Sequence, residues 1–187
     1  ITLNANDTLR LLSAAMSSNA SARLTTLLLS GSPSLGNNPI LVSEVLGPAL
    51  RHGTLEHLAL DGCNLTTGAV EQLAGLVGAA GTDASLRTLS LAHNEVGDAG
   101  ADALASALSS VTAAPLRALH LSRTSLGDAG GVALAASLAR GGGAALERLT
   151  LDQNGVGDTG AAALARALVD GEGGQLRILD LSGNAIG

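Results

Sequence analysis

The sequence contains no tryptophan, tyrosine or phenylalanine, and all ten of its basic residues are arginine. Proteins that bind single-stranded nucleic acids normally stack bases on aromatic rings and follow the phosphates with a basic groove. This chain lacks such rings and carries a formal net charge of −6. We therefore expect no nucleic-acid partner, and a hydrophobic core built from leucine, valine, isoleucine and alanine.

Cysteine and long apolar runs are equally scarce. Cys63 is the only cysteine, so neither a disulfide framework nor an all-cysteine zinc site can form within these 187 residues. No apolar run approaches the ~20 residues that span a bilayer, and the first residues do not read as a signal peptide. We expect a cytoplasmic protein without membrane insertion. Because the sequence opens at Ile1 rather than at methionine, we also expect a piece of a longer protein.

Leucine, by contrast, is abundant and recurs at a fixed spacing. Five segments share the form L-x-x-L-x-L-x-x-(N/C/T)-x-(L/V/I), and a less regular copy precedes them. Several independent matches at one period predict a solenoid of stacked repeats. We expect a single α/β domain over residues 1–187 with about six repeats of 30–31 residues. The repeats start at Leu24, Leu55, Leu86, Leu116, Leu146 and Leu176.

Each repeat predicts a strand, a turn and a helix. Leucines alternate with smaller or polar residues, which is the period of a strand with one buried face. The ninth residue, usually asparagine, can bond backbone groups of its own and adjacent turns. Cys63 and Thr124 hold this position in two repeats, so we interpret Cys63 as a buried structural thiol. Aspartates in the G-D-x-G segments after Gly97, Gly127 and Gly157 are interpreted as helix caps rather than calcium ligands.

The spacing predicts six strands and six helices. The strands lie near residues 24–29, 55–60, 86–91, 116–121, 146–151 and 176–181. The helices lie near residues 7–18, 39–51, 67–79, 98–110, 128–140 and 158–170. Glycine-rich connectors that differ between repeats follow the helices, as is typical of exposed loops.

The segment from Leu146 to Leu168 reads L-x-x-L-x-L-x-x-N-x-V-G-D-x-G-A-x-A-L-A-x-A-L. This pattern resembles the long-repeat, ribonuclease-inhibitor-like class of leucine-rich repeats. The class includes the sensing ends of NOD-like receptors, Ran GTPase-activating protein and many cytoskeletal and ciliary proteins. The resemblance implies a horseshoe with a parallel sheet on its concave face and helices on its convex face. It also implies that another protein binds along the concave face.

Equivalent residues of successive repeats form ladders across that face, because neighbouring strands lie ~4.8 Å apart. The ladders at the third, fifth, seventh and eighth positions bring polar residues together in the C-terminal half of the chain. We predict that a partner binds there, the alternative being a solvated face without a partner. The predicted partner-binding residues are His93, His120, Arg123, Arg148, Asp152, Gln153 and Asp180.

The same residues do not favour catalysis. His120 with Asp152 could form an acid–base pair, and His93 with His120 could bind a metal ion. No third metal ligand and no activated nucleophile accompany them, and an open sheet offers no pocket that excludes water. We therefore predict neither an enzyme, a cofactor, a metal ion nor a small-molecule substrate.

Three functions stay open at this point. The first is a protein-interaction scaffold, placed in a cytoskeletal or ciliary assembly. The second is the sensing domain of a NOD-like receptor, and the third is a GTPase regulator similar to Ran GTPase-activating protein.

Overall fold

The repeats build one parallel sheet. The computed structural model describes residues 9–14, 24–36, 38, 40–51, 54–79, 85–110, 115–141, 145–169 and 175–187. Within these residues each strand pairs with the strand of the next repeat, in chain order. The strands are β1 (Thr26–Leu28), β2 (His57–Ala59), β3 (Thr88–Ser90), β4 (Ala118–His120), β5 (Arg148–Thr150) and β6 (Ile178–Asp180). The predicted α/β solenoid is confirmed.

Helices alternate with the strands along the chain. They are α1 (Gly47–Arg51), α2 (Thr67–Gly78), α3 (Gly97–Leu108), α4 (Asp128–Ala139) and α5 (Asp158–Val169). Their bounds lie within two residues of the predicted ones from α2 onward. Residues 9–14 are also helical, and the rest of the predicted helix at 7–18 lies outside the described residues. None of the helices described is both long and apolar enough to cross a membrane.

The strands are shorter than predicted, with three residues in place of six. Only the centre of each leucine segment keeps regular strand geometry, because the chain bends toward its turn directly afterwards. Backbone hydrogen bonds nevertheless continue beyond the strands. The Leu60 N–H donates to the Ser90 carbonyl at 2.9 Å, and the Leu91 N–H donates to the His120 carbonyl at 3.0 Å.

The predicted helix at 39–51 begins with a wider turn than expected. Leu41–Leu46 form a π-helix that leads directly into α1. Pro48 has no N–H to give to the Glu44 carbonyl, so the α-helical hydrogen bond between these residues cannot form. That carbonyl accepts the Ser13 hydroxyl at 2.9 Å instead. The proline thus accounts for the local departure from α-helix, and the hydroxyl links the first helical segment to it.

Leucines in register form the core beneath the sheet. The fourth-position leucines Leu58, Leu89 and Leu119 lie side by side on adjacent strands and are at most 1 % exposed. The sixth-position leucines, such as Leu91 and Leu121, are fully buried as well. Burial of a leucine side chain contributes about 1.5–3 kcal/mol. The predicted inward and outward alternation is therefore confirmed, and it leaves the residues between the leucines on the opposite face of the sheet.

Asparagine at the ninth position, present as Asn94, Asn154 and Asn184, binds its repeat to the preceding one. The Asn94 Oδ1 accepts the Cys63 N–H at 3.1 Å and the Leu65 N–H at 2.9 Å. Its Nδ2 donates to the carbonyls of Leu60 and Leu91 at 2.8 and 2.9 Å. Asn154 makes the equivalent bonds. Its Oδ1 accepts the N–H groups of Thr124 and Leu126, and its Nδ2 donates to the carbonyls of Leu121 and Leu151. The predicted bonding to two turns is confirmed, and its direction is toward the preceding repeat.

The repeats with Cys63 and Thr124 at this position turn differently. Cys63 is fully buried, and its Sγ lies 3.1 Å from the Leu29 carbonyl oxygen. Burial raises the pKa of the Cys63 thiol, which keeps it protonated and unreactive. The Thr124 hydroxyl donates to the Leu121 carbonyl at 2.7 Å. In both repeats the next residue is left-handed, with φ of 59° at Asn64 and 59° at Ser125. The interpretation of Cys63 as a buried thiol is confirmed.

The aspartates of the G-D-x-G segments do not cap their own helices, which corrects the prediction. The Asp98 Oδ1 accepts the backbone N–H groups of Gly127 and Gly130, at 2.7 and 2.9 Å, where the next repeat begins α4. Asp128 accepts those of Gly157 and Gly160 at 2.8 and 2.7 Å. Each aspartate therefore caps the helix of the following repeat. The sequence did not reveal this, because the same position in every repeat suits either role.

Candidate partner-binding face

The face of the sheet turned away from the leucine core is the predicted binding face. Strand register confirms the two ladders that the strands themselves carry. The third-position ladder runs through Thr26, His57, Thr88, Ala118, Arg148 and Ile178. The fifth-position ladder runs through Leu28, Ala59, Ser90, His120, Thr150 and Asp180. The charged residues of these two ladders, Arg148 and Asp180, lie on β5 and β6, and His120 lies on β4.

The eighth-position ladder forms a rim along the carboxyl ends of the strands. Every residue of this rim is left-handed, and each of the first five donates its N–H to the seventh-position carbonyl of the next repeat. Three of the six are glycine, the residue that adopts this conformation without a steric cost. The other three are His93, Arg123 and Gln153, with φ of 58°, 54° and 55°. Their side chains are exposed.

Hydrogen bonds connect the polar side chains of β4 and β5. The His120 Nδ1 and the Thr150 Oγ1 share a hydrogen bond of 3.1 Å. The Ser122 hydroxyl donates to Asp152 Oδ1 and lies 3.4 Å from the Thr150 Oγ1. Thr150 and Ser122 therefore stand between His120 and Asp152. The two residues of the hypothetical acid–base pair are neighbours in one network and are not directly paired.

His120 is held in its neutral form. Partial burial lowers the pKa of His120, and the positive charge of Arg148 lowers it further. The carboxylates of Asp61 and Asp152 act in the opposite direction without reversing the shift. Near pH 7 the imidazole therefore presents hydrogen-bonding groups rather than a charge to a partner.

Asp61 belongs to this face although the sequence did not single it out. Its carboxylate accepts the hydroxyls of Ser30 and Ser90, which come from the repeats on either side, and the Ala92 N–H at 2.9 Å. The only sequence signal is the alternation of serine and aspartate at the seventh position, where Asp152 has Ser122 beside it. Both carboxylates accept hydrogen bonds from groups within the protein. They therefore hold the side chains of this face in place and have fewer acceptor sites left for a partner.

The structure distributes the predicted residues over two neighbouring zones. His120, Arg148, Asp152 and Asp180 lie on or directly after β4, β5 and β6, and His93, Arg123 and Gln153 lie along the rim. Asp180 turns back on its own chain. It accepts the Ser182 N–H at 2.9 Å and the Ser182 hydroxyl at 2.7 Å, and these bonds lower the pKa of its carboxyl group. Among the described residues no group of three or more histidine, cysteine, aspartate or glutamate side chains could hold a metal ion.

Comparison with known proteins agrees with this architecture. A family profile described as "Leucine Rich repeat" matches residues 82–105, 113–135, 145–165 and 176–187. These segments contain the leucine strands β3 to β6 described above. The fold is that of a leucine-rich repeat solenoid. A search of curated proteins returned no match for this chain.

Among solved structures, the leucine-rich repeat domain is similar to the actin-binding site 2 of leiomodin-1. The TM-score is 0.59 and the sequence identity 18 %, over 90 % of this chain and 92 % of that chain. It also matches an internalin from Listeria monocytogenes with a TM-score of 0.42 and 20 % identity, over 73 % of this chain and 31 % of that chain. The likeness to leiomodin-1 is one of fold.

Proposed function

We propose that this leucine-rich repeat domain is a non-enzymatic scaffold that binds another protein across its concave face. The rim carries the proposal. A side chain in the left-handed conformation costs roughly 1–2 kcal/mol relative to glycine. Three successive repeats retain such side chains at His93, Arg123 and Gln153, while the repeats around them use glycine. Strain that persists at exposed residues, where no core packing requires them, favours a role in binding.

The proposed binding surface joins this rim to the polar strand residues beside it. The exposed guanidinium groups of Arg123 and Arg148 can donate paired hydrogen bonds to carboxylates. The neutral His120 can donate or accept. Asp152, Gln153 and Asp180 complete a mixed polar surface of the kind that surrounds a protein interface.

We further propose that the domain is of the ribonuclease-inhibitor-like class and acts in the cytoplasm, in a cytoskeletal or ciliary assembly. The 12-residue helices α2 to α5 support the long-repeat class. The leiomodin-1 structure is an actin-binding site. Actin is therefore the first cytoskeletal protein to test, and the test below includes it.

The role of the rim in partner binding can be tested by introducing glycine at its three side-chain-bearing positions. The His93→Gly/Arg123→Gly/Gln153→Gly variant removes the side chains and relieves the backbone strain. We expect it to melt at or above the temperature of the wild type while losing its partners. A variant of two exposed arginines of the helical side, Arg140→Gln/Arg166→Gln, is the control and should keep them.

Partners can be measured in two arms, purified monomeric actin and a cytoskeletal extract analysed by quantitative mass spectrometry. Proteins captured by the wild type and the control, and lost from the glycine variant, would be partners of the concave face. The Arg123→Glu/Arg148→Glu variant should lose the same proteins. Equal capture by all variants, with the fold intact, would contradict the proposal.

A further inference from the structure

Three arginines converge where β4, β5 and β6 begin. Arg117 and Arg177 directly precede β4 and β6, and Arg148 is the first residue of β5. Together with three neighbours they line a depression of about 310 Å³ on the sheet. We refer to it as the arginine depression, and its lining residues are Arg117, Ala118, Glu147, Arg148, Arg177 and Ile178. Only Arg148 among them was predicted as a site residue.

The charges in the arginine depression are unbalanced. The Arg117 Nη1 and the Glu147 Oε1 form an ion pair at 3.0 Å. Within the described part of the chain, neither Arg148 nor Arg177 forms an ion pair with a carboxylate. Three guanidinium groups and one carboxylate leave a local charge of +2, in a chain whose net charge is −6. The depression is therefore a positive site on a negative protein.

The second-position ladder explains how this imbalance arises. Arg87 and Glu56 pair at 3.5 Å one repeat apart, as Arg117 and Glu147 do. Arg177 occupies the same position in its repeat and adds a positive charge beside Glu147. Its backbone is fixed, because its N–H donates to the Glu147 carbonyl at 2.8 Å. The guanidinium groups thus project from a rigid base, which reduces the entropy lost when they bind an anion.

The floor of the arginine depression is apolar. Ile178 is 43 % exposed on β6, and Ala118 occupies the same ladder two repeats earlier. An aliphatic side chain placed over this floor would remove apolar surface from water. A ligand that suits both floor and walls carries carboxylates next to an aliphatic side chain.

We propose that the arginine depression binds a short acidic segment of a partner protein, in which carboxylates flank a leucine-like residue. Carboxylates would pair with Arg148 and Arg177, and the aliphatic side chain would lie on Ile178. A long polyanion is disfavoured, because the net negative charge of the domain repels it as a whole. A short segment within about one Debye length (~10 Å) of the arginines experiences mainly their charge. This inference rests on the proposed function, since it describes the chemistry of the partner.

Direct binding of defined probes tests the proposal. The probes are three fluorescein-labelled peptides, GSDELDELDEGS, its amide counterpart GSNQLNQLNQGS, and GSDESDESDEGS without leucine. Fluorescence anisotropy with the whole 187-residue chain should give a Kd in the micromolar range for the first peptide. We expect binding at least roughly tenfold weaker for the amide peptide and a smaller loss for the serine peptide.

Matched variants locate the site. Arg148→Gln/Arg177→Gln should weaken binding of the leucine peptide by roughly tenfold, and the control Arg140→Gln/Arg166→Gln should leave it unchanged. Ile178→Ser should weaken the leucine peptide and not the serine peptide. Glu147→Gln releases Arg117 and should tighten binding about threefold, which a merely structural role of these residues would not produce.

Several results would overturn the proposal. They are equal binding of the acidic and amide peptides, unchanged binding by Arg148→Gln/Arg177→Gln, and weaker binding by Glu147→Gln. Tighter binding of a labelled oligothymidylate, or full displacement of the peptide by 20 mM inorganic phosphate, would do so as well. The glycine variant of the rim should bind the acidic peptide like the wild type. If the glycine variant binds the peptide normally and also captures the same proteins as the wild type, the proposed role of the rim in the scaffold fails, and the arginine depression is still supported.

Discussion

The Asp98 carboxylate accepts the backbone N–H of Gly130 at 2.9 Å, across 32 residues of sequence. Gly130 is buried in the first turn of α4, so solvent cannot replace Asp98 as the acceptor of its N–H. The N–H of Gly127 donates to the same oxygen. A hydrogen bond to a charged group contributes about 1.5–3 kcal/mol. This interaction therefore joins two repeats where their helices begin.

Replacing the carboxylate tests its role between repeats. We expect Asp98→Ala to lower the free energy of unfolding by about 1–3 kcal/mol, because two amides of the next repeat lose their acceptor. Asp102→Ala, an exposed residue of the same helix α3, is the control and should change stability by less than about 0.5 kcal/mol. Urea denaturation followed by circular dichroism measures both. Equal effects of the two substitutions would refute the bond between repeats.

Gly130 must also stay glycine for this bond to form. A Cβ there would collide with the Leu126 side chain and lie 2.8 Å from the Asp98 Oδ1. We expect Gly130→Ala to cost about 1–3 kcal/mol, as overpacking does, despite the higher helix propensity of alanine. Gly75→Ala in α2 meets nothing within 4 Å and should stabilise by up to about 1 kcal/mol. Thermal melts of both variants decide the matter, and a stabilising Gly130→Ala would contradict the structure.

Asn154 is expected to be indispensable for the turn after β5. We predict that Asn154→Leu destabilises by roughly 1–3 kcal/mol, since backbone groups of two repeats lose their partners. Asn154→Thr should cost less, because a threonine hydroxyl can keep the bond to the Leu151 carbonyl, as Thr124 does with Leu121. Gly155 can adopt the left-handed conformation that Ser125 has after Thr124. Chemical denaturation gives both values. A leucine variant that unfolds like the wild type would exclude the proposed role.

The lowered pKa of His120 predicts a pH dependence of stability. The folded state binds the proton less tightly than the unfolded state, so protonation favours unfolding. The contribution of His120 is thus fully present above the unfolded pKa of about 6.5 and is lost as the pH falls below it. We expect His120→Gln to reduce the decline in melting temperature between pH 7 and pH 5. An unchanged decline would show that His120 titrates normally.

Features that follow from the leucine period could be predicted from the sequence, whereas contacts between different repeats could not. The leucine period predicted the sheet, its register and the core, because equivalent positions must stack. Asp98 was assigned to the wrong helix, since its partners are backbone amides that every residue has. The rim was recognised as a ladder, but its left-handed backbone was hidden where His93, Arg123 and Gln153 replace glycine. The arginine depression could be recognised only in the structure, because Arg117 and Arg177 are 60 positions apart in the chain.

Two polar side chains of the repeat that contains β3 bond in opposite directions along the chain. Asn94 reaches back to Cys63 and Leu65, whereas Asp98, four residues later, reaches forward to Gly127 and Gly130. Deletion of part of a repeat would leave hydrogen-bonding groups without partners on both sides of the deletion. Removing one complete period would join equivalent surfaces and leave none. The molecule can therefore change length only by whole repeats, so duplication or loss of a repeat can move or widen the proposed binding face without breaking the bonds between repeats.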